Sequence, residues 1–121
     1  LFPGITKQVV NSVLSIEGLK AVIISTYGSG NAPTEEWFLQ ELENAVAKGI
    51  IVYDVTQCKS GSVNIGRYAT SSDLGRIGVV SGYDITIEAA VTKLMFLLGN
   101  YTDKAIITNL LTQSLRGEIT L

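Results

Sequence analysis

Two short segments of this 121-residue chain concentrate side chains that could do chemistry. In Thr26-Tyr27-Gly28-Ser29-Gly30-Asn31-Ala32-Pro33, Gly28 and Gly30 allow a tight turn and close approach of backbone to a ligand. The helix start that follows favours an anion such as a carboxylate, and Asn31 offers a directed hydrogen bond. The same residues also read as a plain glycine-rich turn. The second segment, Val55-Thr56-Gln57-Cys58-Lys59-Ser60-Gly61, brings a hydroxyl, an amide, a thiol and backbone N–H groups together. Cys58 is the single cysteine, so no internal disulfide can form, a reducing compartment is the simpler reading, and the thiol equally suits an inert buried role.

The chain contains no histidine, which removes Ser-His-Asp and Cys-His activation and the commonest zinc ligand. Any catalysis would need Lys, Tyr or a carboxylate as its base; no catalytic residue, metal site or cofactor is expected. A dinucleotide reading has some support, because Gly28-x-Gly30 follows a strand pattern and Asp54 ends the next one, where a ribose-binding acid would stand. Pro33 occupies the third glycine position, and its ring obstructs the close helix–strand approach that glycine permits. Nine basic against eleven acidic residues leave a net charge of -2, and the basic residues are scattered along the chain. Nucleic acid is therefore not an expected partner. No apolar run approaches the roughly 20 residues of a membrane span.

These segments must be held by something. Ala21–Thr26 and Ile50–Val55 are short, β-branched and non-alternating, the pattern of strands covered on both faces. Between them Pro33 to Lys48 reads as a helix, with Glu35 and Glu36 in its first turn and Gly49 as its stop. Ile5 to Leu14 reads as an earlier helix, Gly78–Gly82 as a short third strand, and Ile87–Leu98 as a helix behind an N-cap at Thr86. A last helix is expected from Thr102 through Leu115. Cys58 to Gly75 reads as irregular, with Tyr68 and Asp73 as loop anchors, and Asp84 as a turn or cap residue. Repeated β-then-α order predicts one small three-layer α/β/α domain over residues 1–121, with a short parallel sheet of about four strands. Both candidate segments then follow carboxyl ends of strands, where open parallel sheets bind ligands.

Taken in order, Leu1-Phe2-Pro3-Gly4-Ile5, Tyr27 to Pro33, Thr56-Gln57-Cys58, Tyr68-Ala69-Thr70, Gly82 to Ala89, Thr92-Lys93-Leu94 and Leu115 to Thr120 resemble the C-terminal domain of type I (cytoplasmic) bacterial L-asparaginases. The resemblance spans nearly the whole chain. It implies an amidohydrolase that converts L-asparagine to L-aspartate and ammonia through an acyl-enzyme, whose catalytic threonines lie in an N-terminal domain. The opening without Met reads as a chain cut from that longer protein, inactive alone. The resemblance further implies that Tyr27, Gly28, Gly30 and Asn31 close a neighbouring subunit's substrate site, in a cytoplasmic homodimer or tetramer. An effector asparagine would sit by Ser25, Thr56, Gln57 and Cys58. The family places an arginine where Ser25 stands, and loss of that bidentate guanidinium implies weak or absent activation by asparagine. The competing readings are a stand-alone amino-acid-sensing module and a Rossmann-type nucleotide-binding domain.

Overall fold

The computed structural model describes residues 5–26, 36–56 and 69–119, with side chains except those of 56 and 69–72. Eight elements follow one another: α1 (Lys7–Leu14), β1 (Ala21–Thr26), α2 (Glu36–Ala47), β2 (Ile51–Thr56), α3 (Ala69–Ile77), β3 (Val80–Ser81), α4 (Ile87–Asn100) and α5 (Lys104–Leu111). The strands form a parallel sheet in the order β1-β2-β3, with Ile24 opposite Asp54, Thr26 opposite Thr56 and Tyr53 opposite Val80.

The period-2 alternation of β2 divides the interior. Val52 faces a core shared by α1, α2 and α3, built on Val10, Phe38, Leu42 and Leu74. Ile51, Tyr53 and Val55 face the opposite core with Leu94, Leu97, Ile107 and Leu111 of α4 and α5. Burial on both faces explains why β1 and β2 read as continuous apolar runs. This is the expected α/β/α sandwich, with three strands among the described residues where about four were anticipated.

Local sequence sets most boundaries. The side chains of Thr6, Thr86 and Asp103 cap α1, α4 and α5, accepting hydrogen bonds from the N–H groups of Val9, Ala89 and Ala105. Gly49, at φ +91°, takes the left-handed conformation that ends α2 and turns the chain into β2. The last helix is shorter than Thr102 to Leu115, because Asp103 starts it and Thr112 caps it. The larger departure is α3, which occupies part of the stretch expected to be irregular and places Asp73 on a helix, 3.8 Å from Arg76 in an exposed ion pair. Pro33 lies outside the described residues. No helix among them is long and apolar enough to cross a membrane.

Candidate functional site at the carboxyl ends of the strands

β1 and β2 end side by side, so the parallel register brings Ser25 and Thr26 level with Val55 and Thr56. This places Ser25 and the Thr56 backbone together, as the sequence suggests. Tyr27, Gly28, Gly30, Asn31, Gln57 and Cys58, and the Thr56 side chain, lie outside the described residues. Both segments therefore leave from adjacent strand ends, at the edge where ligands bind in open α/β sheets.

Beneath that edge sits a buried polar pair. Thr26 Oγ1 donates to Asp54 Oδ1 at 2.7 Å, and both residues have zero exposure. Asp54 Oδ2 has no hydrogen-bond partner among the described residues. Burial pushes the Asp54 carboxyl up to about 7 against the smaller opposing effect of the Thr26 hydroxyl. A hydroxyl on a carboxylate that titrates near neutrality has the composition of an activated nucleophile. Its complete burial leaves no room for a substrate, so the pair is a structural link between the ends of β1 and β2. The same burial removes Asp54 from the ribose-binding role of a dinucleotide fold.

The end of β3 supplies a rigid neighbouring turn. Gly82 N donates to Asp54 O at 2.8 Å, Ile85 N donates to Gly82 O at 3.1 Å, and Tyr83 N donates to Ser81 Oγ at 3.1 Å. Tyr83 itself adopts φ +55°. Asp84 lies in this turn, two residues before the Thr86 cap, in keeping with the turn role read from sequence.

A second polar cluster was not legible in the sequence. Lys93 of α4 is almost fully buried and pairs with Glu118 at 2.7 Å. Its Nζ also donates to Leu111 O at 3.3 Å and to Gln113 O. Glu118 accepts from the N–H groups of Leu115, at 2.9 Å, and Arg116, at 2.6 Å. Burial pushes its carboxyl up, but Lys93 and these backbone donors outweigh it and hold Glu118 at about 2. Lys93 and Glu118 belong to the separate segments Thr92–Leu94 and Leu115–Thr120, which the fold joins. Their signal was a charged residue within an otherwise apolar helix face. Close by, Tyr53 Oη donates to Leu111 O at 2.8 Å from the sheet, and burial, with Glu118 and Tyr83 adding to it, raises the phenol well above its ordinary range. Among the described residues no group of His, Cys, Asp and Glu could hold a metal ion.

A short parallel sheet between two helical layers is also what comparison with known proteins returns. The model of the Glutaminase/Asparaginase C-terminal domain family matches residues 1–111, and the chain belongs to that family. It is similar to L-asparaginase 1 of Escherichia coli, with 47% identity over 99% of this chain and 35% of that protein. The crystal structure of L-asparaginase I from Vibrio cholerae aligns with a TM-score of 0.92 and 42% identity, covering all of this chain and 36% of that one. A mouse protein named 60 kDa lysophospholipase is 41% identical over the whole of this chain and 21% of its own length. The chain thus spans about a third or less of the length of these relatives. The sensing-module and nucleotide-binding readings are not favoured by these matches.

Proposed function

We propose that this chain is the C-terminal half of an amidohydrolase that converts L-asparagine to L-aspartate and ammonia. The observation that supports this most is the match of its whole length, in sequence and fold, to L-asparaginases. The N-terminal asparaginase domain supplies the threonine nucleophile, and oxyanion stabilisation by preorganised donors lowers the barrier. This domain supplies closure: Tyr27, Gly28, Gly30 and Asn31 leave the end of β1 towards the substrate of a neighbouring subunit in a cytoplasmic homodimer or tetramer. Ser25, Thr56, Gln57 and Cys58 form part of an effector site at the domain junction. Serine at position 25 cannot make a bidentate charge-assisted contact to a ligand carboxylate, so activation by asparagine is weak or absent.

Ammonia release from L-asparagine tests the assignment. The 121-residue chain alone should release none, and the chain joined to an N-terminal asparaginase domain should show a hyperbolic saturation curve. Asn31→Ala should then impair turnover without unfolding the protein. Release by the isolated chain would overturn the division of labour. Unchanged kinetics would remove Asn31 from the site, and clear sigmoidicity would refute the argument from Ser25.

A further inference from the structure

At the opposite end of the sheet from this edge, the fold gathers cations that the sequence scatters. Three of the chain's nine basic residues, Lys20, Lys48 and Lys104, line a single cleft of about 280 Å³. Lys20 immediately precedes β1, Lys48 lies in the turn between α2 and β2, and Lys104 opens α5. Each is exposed, and among the described residues none of their ammonium groups has an ion pair or hydrogen bond, in contrast to Lys93. The nearest acid in sequence, Asp103, directs its carboxylate to Ala105 N at 2.9 Å as the cap of α5 and does not line the cleft.

The remaining walls fit an anion with an organic part. Tyr101 and Thr102 also line the cleft, together with the buried Ile51 and Ile107. Like charges converging on one concave surface repel one another until a counter-charge enters, so occupation by an anion removes a cost that the empty cleft carries. From Lys20 to Ser25 the strand runs roughly 16 Å, at about 3.3 Å per residue, so this cleft is distinct from the loops at the carboxyl edge.

We infer that the cleft lined by Lys20, Lys48 and Lys104 binds a phosphate dianion, either free or as a monoester. Three lysines lining one cavity match a compact double charge with several acceptor oxygens, and the apolar lining residues accommodate the ester group.

Calorimetric titration of the full-length protein at fixed ionic strength, with orthophosphate in one arm and phenyl phosphate in the other, tests this. One saturable site is expected, weakening as salt is raised. Lys48→Gln should reduce affinity about three- to tenfold, and Lys48→Gln with Lys104→Gln should reduce it further. Both lysines are exposed, so circular dichroism should show an unchanged fold. Tighter binding of phenyl phosphate would assign the site to an organic monoester, and equal binding would assign it to free phosphate; either supports the inference. No saturable heat with either anion into the millimolar range, or binding undiminished by the double substitution, would overturn it.

Discussion

Replacing Asp54 with asparagine should change how stability depends on pH, and the sign follows from the site. The carboxyl has zero exposure and, among the described residues, a single hydrogen-bond donor, Thr26, and its value rises from 3.8 to about 7. Between those values the folded chain holds a proton that the unfolded chain releases, so stability falls as pH rises through this window and levels off above it. A shift of this size corresponds to about 4 kcal/mol in all, of which about 3 kcal/mol is lost between pH 4 and pH 7. The carboxamide of Asp54→Asn cannot ionise and keeps an oxygen for the Thr26 hydroxyl, but its N–H groups take the place of Oδ2, which has no partner among the described residues. That buried donor costs about 1–3 kcal/mol at every pH. Urea-unfolding midpoints from pH 4.5 to 7.5 should therefore drop steeply in the wild type and stay flat in the variant. The curves should cross, leaving the variant more stable at the alkaline end. Parallel decline of both proteins would refute the argument, because the slope would then belong to some other group.

The buried pair beneath the C-terminal segment gives the opposite dependence. Glu118 is held at about 2, below its ordinary 4.5, so its contribution is complete above pH 4.5 and is lost as pH falls towards 2. Lys93→Met should cost about 3 kcal/mol by leaving Glu118 without its cation, and it should flatten acid unfolding below pH 4.5. An acid limb as steep as the wild type's would dismiss the pair as its cause. Gly82→Ala should cost about 2–3 kcal/mol, since the added Cβ would lie 2.7 Å from Ile85 Cγ2 and 2.9 Å from Asp54 O. That carbonyl cannot easily yield, because Gly82 N is bonded to it. A melting temperature within a degree or two of the wild type would show that the turn relaxes after all.

Much of the fold was legible because its signals are local. Ala21–Thr26 and Ile50–Val55 are β-branched runs whose residues pack into cores on both faces, Gly49 stops a helix, and Thr86 caps one. α3 was missed because Ala69–Ile77 is rich in small polar residues, and among its described side chains Leu74 and Ile77 are the ones that reach the core. The position of Ser25 at a strand end was legible, since it needs only the strand boundary. The sealing of Asp54 was not, because strand alternation shows that a residue faces one layer without showing whether that layer excludes water. Lys93 with Glu118, and Lys20 with Lys48 and Lys104, are products of tertiary contact between segments distant in sequence, and composition shows only scattered charges.

The division of the interior by β2 has a consequence for how such a chain can change over generations. Phe38 and Leu42 on one side of the sheet share no cluster with Leu97 and Leu111 on the other. Losses at such separated positions add without amplifying one another, as expected for residues lacking common neighbours. Each helical layer can therefore exchange apolar residues at its own pace, with a poor choice in one layer leaving the other's fit intact. What both layers share is the sheet itself, where β2 sends Val52 into one cluster and Ile51, Tyr53 and Val55 into the other. A shift of the β2 backbone is felt on both sides at once, so drift in this domain is narrowest along the middle of its sheet.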